Sequence, residues 1–584
     1  MKTRTFSIIA AILCGSILSF AAQTASAADP KLTFTVPDGP RTDGMCGPSH
    51  DMEMIRGLSS DGSFHYFAVG TDVRGQGISI FQSDDLVNWE EVGKVFTQAN
   101  APKILNLGPR GWNYDFNAVN INENGEYEFL NERKPGANNY RLGGAQPFWA
   151  PCVYFNDQDK TYYLYYSCSA YGTRNSFIGC AKSKTMDTGW EDCGQLIHTR
   201  TGDGKQYNAI DPVVFKDADK RLWMVYGSFF GGIAIVELDR KDPSKLLHPG
   251  THGKTIACRG YEKVYEQDGF EGKPTTSVNG EKFTAYGIEG ASIVYNRETR
   301  YYYLFVSYDR LAWTYHVRVG RSRSPEGPYL DYNGKPLVYD QEKQGPDAVN
   351  GTKLIGPYRW KSCDAGWGAT GHTTLFPVGL ELMFGSNCKA QPNDASFVGL
   401  RRVFWSDNGW PMLSPCLYAG EDMVIEVGQR VVKDKLLLVN TAVSEEGILN
   451  FQDSAQWDFI VFSVTDDTTC HRTDESTIYT LKKDGSIKEG GSWALNVGAN
   501  MIFDNGIWEA PDGATHRYSR MSWPAGKGIT MTVDLPGGVK AKGVCAYGWD
   551  QDRKCQTIFF TGFTDKGVPV WGQRIPPELE SSAE

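Results

Sequence analysis

Three carboxylates, a tryptophan and a histidine stand at similar distances ahead of five aromatic-rich runs. Asp51, Trp149, Asp211, Glu289 and His372 precede runs that begin at Phe64, Thr161, Arg221, Arg300 and Leu380, with gaps of 13, 12, 10, 11 and 8 residues. Similar offsets in a repeat mark equivalent places in a quasi-symmetric object. The five side chains are therefore expected to converge on one axis. Partly desolvated acids that lie near one another acquire shifted and separated pKa values, which is what acid and base roles require. Glycoside cleavage uses such a pair: one carboxyl protonates the leaving oxygen, while the other activates water or attacks carbon. A third acid can hold the proton on the first. A lone Asp ahead of a strand is ordinarily a turn or capping residue, but three acids at one repeat position favour a shared site.

The elements that must position these residues are strands. Asp51 follows His50 and precedes Met52-Glu53-Met54-Ile55, Asp211 lies in Asn208-Ala209-Ile210-Asp211-Pro212-Val213-Val214-Phe215, and Glu289 lies in Tyr286-Gly287-Ile288-Glu289-Gly290-Ala291. The aromatic runs, such as Tyr162-Tyr163-Leu164-Tyr165-Tyr166 and Tyr301-Tyr302-Tyr303-Leu304-Phe305, are followed by a further strand, as at Ile78-Ser79-Ile80-Phe81 and Val317-Arg318-Val319-Gly320. Strands at this spacing, with almost no 3.6-residue periodicity, predict an all-β array. A period of roughly 60 to 100 residues suits four-stranded propeller blades carrying insertions. A pair of β-sandwiches would not account for the common offset. In a propeller the acids sit at the channel end of the innermost strands.

The longest irregular stretch runs from Gln98 to Gln146; a loop of that length in a compact domain is more often functional than accidental. The repeats stop after Gly409-Trp410-Pro411. From about Val432 a different β pattern begins, with Leu436-Leu437-Leu438-Val439, Phe459-Ile460-Val461-Phe462, Ile529-Thr530-Met531-Thr532-Val533 and Thr557-Ile558-Phe559-Phe560, and with Gly490-Gly491-Ser492-Trp493 and Trp549-Asp550 at its turns. The expected division is a signal peptide over 1–27, a propeller over 28–431 and a smaller C-terminal β-barrel or sandwich over 432–584.

The leader reading rests on Lys2 and Arg4, the apolar run from Phe6 to Ala22 and the small-residue site Ala25-Ser26-Ala27. Export, ending in the medium or the periplasm, follows, and no other segment is long and apolar enough to span a bilayer. The net charge of −10 becomes −12 once Lys2 and Arg4 leave. That balance argues against nucleic acid and against an anionic polymer, and it is compatible with a neutral polysaccharide. Aromatic residues make up 13% of the chain, in keeping with strands and with surfaces that stack on sugar rings. Of 13 cysteines, Cys14 leaves with the leader. Cys168 and Cys180, Cys363 and Cys388, and Cys545 and Cys555 each flank a hairpin, so disulfides are permitted, with buried thiols as the alternative. No CxxC pair has zinc-site spacing.

The strings His50-Asp51, Trp149-Ala150-Pro151, Asn208-Ala209-Ile210-Asp211-Pro212, Tyr226-Gly227-Ser228-Phe229-Phe230-Gly231-Gly232, Ile288-Glu289 and Gly371-His372 resemble those of glycoside hydrolase family 43, and among its members the endo-1,5-α-L-arabinanases. The resemblance spans about Gly47 to Glu421, and the C-terminal part resembles the extra β-barrel domain of the larger arabinanases. It implies a five-bladed propeller that hydrolyses arabinan, a neutral plant polysaccharide, with inversion and as a monomer. Asp51 would be the general base, Glu289 the general acid and Asp211 the modulator of the acid. Trp149, Asn208, Ile210, Ser228 and Phe230 would contact substrate. His372 would hold a calcium or similar ion through water, although one imidazole defines no metal site by itself.

The chain departs from the family pattern at Met52, Cys152, Phe230 and Gly290-Ala291-Ser292. No catalytic carboxylate is lost. The rivals are an exo-acting α-L-arabinofuranosidase or β-xylosidase of the same family, and a carbohydrate-binding propeller without catalysis.

Overall fold

Each of the five aromatic runs forms the second strand of an antiparallel four-stranded unit. The computed structural model describes residues 49–72, 77–97, 100–102, 119–121, 127–129, 148–169, 174, 176–200, 207–259, 276–278, 281–283, 287–309, 311, 313–339, 350–363, 365–378, 381–390, 396–420, 448–464, 473–498, 502–509, 515–522, 528–550, 553 and 555–576. Among them the first unit is Ser49–Leu58, Phe64–Asp72, Ile78–Ser83 and Glu90–Lys94. The second is Trp149–Asn156, Thr161–Ser169, Ser176–Ser183 and Glu191–Thr199. Val213–Lys216, Leu222–Tyr226, Ile233–Leu238 and Lys254–Arg259 make the third, joined at its edge by Val338–Tyr339. The fourth is Ile288–Asn296, Tyr301–Tyr308, His316–Ser322 and Thr352–Ile355. A further set, Thr373–Val378, Glu381–Ala390, Ser396–Trp405 and Pro411–Leu413, lies within a larger seven-stranded sheet.

The first strands of these sets neighbour one another in order: Ser49–Leu58 beside Trp149–Asn156, then Val213–Lys216, Ile288–Asn296 and Thr373–Val378, which returns to Ser49–Leu58. That closed ring makes the architecture a propeller, as the repeat predicts. It also explains the aromatic second strands. A blade is covered on both faces by its neighbours, so its central strand is apolar throughout rather than alternating. All nine residues of Thr161–Ser169 and all five of Leu222–Tyr226 are buried. Large side chains fill the wedges: Phe67, Tyr162 and Tyr166 share one interblade core, Tyr165, Met224 and Tyr226 the next, and Trp223, Leu304 and Tyr308 the one after.

The C-terminal strands form an antiparallel seven-stranded sheet in the order Thr477–Lys482, Ser454–Val461, Pro569–Arg574, Cys555–Thr564, Val539–Asp550, Gly528–Leu535 and Ser492–Gly498. It curls around its own core of Trp457, Phe459, Met531, Phe560 and Val570, in agreement with a barrel or sandwich. The two parts are stitched together. Tyr358 and Arg359 pair in parallel with Asp474 and Glu475, and Lys353 Nζ lies 3.4 Å from Asp474 Oδ2. The Tyr358 ring sits 5.3 Å from that of Trp571.

The expected leader, the boundary at 431/432, the strand over 436–439 and most of the 98–146 insertion lie outside the described residues. The ten described cysteines are unbridged. The register explains this for two of the considered pairs: Cys168 faces Phe177 and Cys180 faces Tyr165, while Cys545 faces Phe560 and Cys555 faces Asp550. Among the described residues no helix is long and apolar enough to cross a membrane.

Candidate active site

The first strands carry the site at their opening residues, and the backbone there is unusual. Asp51, Ala150, Asp211, Gly290 and His372 all have left-handed φ values, of 54°, 35°, 55°, 54° and 53°. Register shifts between His50 and Glu53, Trp149 and Cys152, and Glu289 and Ser292 accompany three of them. The equivalent places in the repeat are therefore these five. The sequence expectation is corrected at two positions: Trp149 and Glu289 each stand one residue ahead of the common one. Ala150 and Gly290 occupy the common place instead. A Cβ on Gly290 would lie 2.9 Å from both Cα and Nδ1 of His372.

Asp51 is the most heavily clamped group. His50 Nδ1 lies 2.5 Å from its Oδ2, Asn387 Nδ2 donates to Oδ1 at 2.7 Å, and Thr71 Oγ1 donates to Oδ2 at 3.3 Å. His372 Nδ1 stands 3.5 Å from Oδ1. Burial pushes the Asp51 carboxyl up, but the two imidazoles and the donated hydrogen bonds outweigh it and hold it well below the usual carboxylate range. His50 is held above its ordinary value, because the Asp51 charge outweighs a burial that disfavours imidazolium. His372 stays below its own, burial exceeding the pull of Asp51.

Asp211 is in the opposite environment. Its burial, together with the charges of Glu289 and Asp51, pushes its carboxyl well up, opposed only by the Gly290 N–H donated to Oδ2 at 3.1 Å. Glu289 Oε2 accepts a hydrogen bond from Ser228 Oγ at 2.8 Å. Ser228 reaches it because Gly227 turns the chain at φ 127° and Phe229 N–H donates to Ile288 O at 2.8 Å. Asp51, Asp211 and Glu289 thus act on one another across one axis, as the spacing predicts.

Of the expected substrate residues, Ser228 touches this cluster through Glu289. Trp149 is half-buried at the opening of its strand. Asn208 is buried and accepts from Ser176 Oγ at 2.6 Å through Oδ1, and the buried Ile210 donates its N–H to Asn208 O at 2.9 Å. Phe230, with φ 35°, lies 5.9 Å from the Arg174 guanidinium. Cys152, at a departure from the family pattern, is buried and accepts the Val214 N–H through Sγ. Tyr315 was not singled out in the sequence: its phenol is buried among Glu289, Asp51 and Asp211, and burial first and those charges second push it well up. Neither were Thr71, Ser167, Ser307 and Asn387. Each is a polar residue near the end of an aromatic or apolar second strand, a pattern too common to mark a site by itself.

Among the described residues no group of three or more His, Cys, Asp or Glu side chains is placed to hold a metal ion. His372 turns Nδ1 toward Asp51. The donor set therefore suits only a largely hydrated ion with one imidazole beside it.

A propeller whose strand openings bring a clamped carboxylate and two further acids together holds the kind of carboxyl group set that glycosidic-bond hydrolysis uses. The comparisons agree. The model described as Glycosyl hydrolases family 43 matches residues 130–411, and one described as a C-terminal lipocalin-like domain matches 455–572. The chain is 30% identical over 325 residues to extracellular endo-α-(1→5)-L-arabinanase 1 of Bacillus subtilis, covering 52% of this chain and 78% of that one. It is 26% identical over 541 residues to the extracellular endo-α-(1→5)-L-arabinanase of Thermotoga petrophila, covering 87% and 91%. The crystal structure of endo-1,5-α-L-arabinanase from Thermotoga petrophila RKU-1 superposes with a TM-score of 0.60 at 22% identity, covering 91% of this chain and 99% of that one. The chain belongs to glycosyl hydrolases family 43 and is a glycoside hydrolase.

Proposed function

We propose that the protein is a secreted enzyme that cleaves α-1,5-linked L-arabinan in endo fashion with inversion of configuration. The observation that carries the mechanism is the contrast between two neighbouring carboxyls. Asp51 is clamped and ionised, whereas burial and the charges of Glu289 and Asp51 push Asp211 toward its neutral form, which supports a base at Asp51 facing an acidic proton kept on the Asp211–Glu289 side. Glu289, held by Ser228, donates its proton to the leaving glycosidic oxygen. Asp51 takes the proton from the attacking water, and Asp211 tunes and seats Glu289. An inverting arrangement leaves room for that water, with the Asp51 and Glu289 carboxyls roughly 6.5–9.5 Å apart. Trp149, Asn208, Ile210, Ser228 and Phe230 line the sugar groove.

The set over 373–413 serves as the fifth blade, the closed ring of first strands being the support for that count. Similarity to arabinanases over both parts of the chain supports arabinan as the polymer, and the names of those relatives support export. The protein acts as a monomer, with no nucleic-acid or membrane partner. A hydrated calcium ion beside His372 would add positive charge near Asp51. Dialysis against a chelator should lower activity and calcium should restore it, with no such response in His372→Ala.

Linear debranched arabinan tests the main reading. Mixed arabino-oligosaccharides, with the first anomer released opposite in configuration to the bond cut, are the expected products. Monomer alone would replace endo by exo action. Retained configuration would overturn the roles given to Asp51 and Glu289.

A further inference from the structure

The five left-handed residues are not held by their own blades. Asp51 N–H donates to Asn387 Oδ1 at 3.0 Å, Ala150 N–H to Thr71 Oγ1 at 2.8 Å, Asp211 N–H to Ser167 Oγ at 3.0 Å, and His372 N–H to Ser307 Oγ at 2.7 Å. In every case the acceptor closes the second strand of the preceding unit around the ring. The acceptors are equivalent by register as well. Thr71 pairs with His50, Ser167 with Trp149 and Ser307 with Glu289, each the residue just ahead of its own unit's left-handed position. Asn387 N–H donates to Gly371 O in the same way.

At the remaining junction the pattern is broken and repaired. The equivalent residue is Gly227, whose N–H donates to Ile210 O and which has no side chain to offer. It cannot gain one, because a Cβ there would lie 2.2 Å from Gly232 O. The Gly290 N–H is held instead by Oδ2 of the Asp211 carboxyl. Four latches are hydroxyl or amide side chains of second strands, and the fifth is a carboxyl group from a strand opening.

We infer that this ring of interblade latches seats the active site, that Ser167 and Asn387 are positioning residues acting through Asp211 and Asp51, and that Asp211 doubles as the latch on Gly290. An unlatched N–H in a buried, left-handed turn is left without a partner, and the turn relaxes to find one. The side chain carried by that turn moves with it. At Gly290 the neighbour that moves is Glu289.

The kinetic part rests on the function proposed above, so the test pairs kinetics with a readout independent of substrate. Backbone amide hydrogen exchange is followed over residues 209–213 and 288–292 in full-length wild type, Ser167→Ala, Asp211→Ala, Asp211→Asn and Thr561→Val. Thr561, in the C-terminal part, is a buried hydroxyl that donates across to Leu413 O of the propeller at 2.8 Å, and its variant controls for simple loss of a buried hydrogen bond away from the acids. Ser167→Ala should speed exchange at the Asp211 amide. Asp211→Ala should speed it at Gly290, while Asp211→Asn, which keeps an acceptor oxygen, should not. On linear arabinan, kcat should fall about tenfold in Ser167→Ala with KM nearly unchanged, against no fall in Thr561→Val. Asp211→Asn should keep at least several times the kcat of Asp211→Ala.

Exchange at both amides indistinguishable from wild type overturns the ring, and so does equal exchange at Gly290 in Asp211→Asn and Asp211→Ala. Altered exchange with a wild type inert on every arabinan supports the ring and removes the functional reading instead.

Discussion

Asn387 grips Asp51 from both sides, its amide nitrogen donating to Oδ1 at 2.7 Å and its amide oxygen accepting the Asp51 N–H at 3.0 Å. The two residues are 336 positions apart in sequence, and they meet because the last unit of the ring closes on the first. One side chain therefore fixes both the backbone turn and the charge of the candidate base.

That double grip gives the first prediction. Asn387→Ala leaves a buried carboxylate short of a donor and a left-handed N–H short of an acceptor. Two lost hydrogen bonds at about 1–1.5 kcal/mol each correspond to a loss in kcat of roughly 30- to 160-fold, read from initial rates on linear arabinan. Asn387→Asp should fare worse near neutral pH, because it sets a second negative charge against Asp51. A variant within twofold of wild type would show that His50 and Thr71 hold Asp51 unaided.

The second prediction concerns pH and stability. Burial pushes the Glu53 carboxyl up to about 8, against a partial pull from its hydrogen bond to Thr374. For an acid whose pKa rises on folding, the folded state prefers the neutral form. Its contribution is intact below about 4.5 and is lost progressively as pH climbs toward about 8. Glu53→Gln removes that loss, so it should melt higher than wild type at pH 8 and alike at pH 4. The gain at pH 8 should be about 2 kcal/mol, below what the full shift would carry because the side chain is partly exposed. Matched thermal scans at the two pH values check it, and a gain at pH 4 would contradict the cause given.

Gly290 supplies the third. Asp51, Asp211 and His372 show that a side chain is tolerated at the left-handed position, so backbone conformation alone does not demand glycine there. The clash with His372 does. Gly290→Ala should cost about 2 kcal/mol in unfolding free energy and reduce kcat, since the turn that must yield carries Glu289. Denaturant unfolding with parallel kinetics measures both, and an unchanged midpoint would mean that His372 moves aside freely.

The large features were legible in the sequence because strong, local signals carry them. The aromatic runs became the second strands, since burial on two faces demands largely apolar sequence, and the acids lay at the openings of the first strands. Single-residue register was not legible. Gaps between 8 and 13 residues place Glu289 near the left-handed turn but cannot say that Gly290 occupies it. The latches at Thr71, Ser167, Ser307 and Asn387 were hidden for a different reason. Each looks like an ordinary polar residue ending a strand, and its partner lies on the next blade, where only closure of the ring reveals it. The C-terminal strands were visible by alternation, whereas their attachment depends on short segments such as Asp474–Glu475 with no pattern of their own.

That attachment carries the last prediction. Trp571 is almost fully buried between the two parts, 5.3 Å from Tyr358 and 4.9 Å from Phe462, with the Arg401 guanidinium 5.1 Å from its ring. The Tyr358–Trp360 strand uses its outer edge to pair with Asp474 and Glu475. Removing residues 432–584 would bare that edge together with Tyr358 and Trp360, and an exposed apolar strand edge invites pairing with other chains. The truncated propeller should accumulate as aggregate, while Trp571→Ala, losing about 3–5 kcal/mol, should remain soluble and melt lower with its arabinan affinity unchanged. Light scattering of the truncation, with melting and binding of the variant, separates support from sugar capture. A soluble, stable truncation with weakened arabinan binding would assign the C-terminal part to the substrate instead.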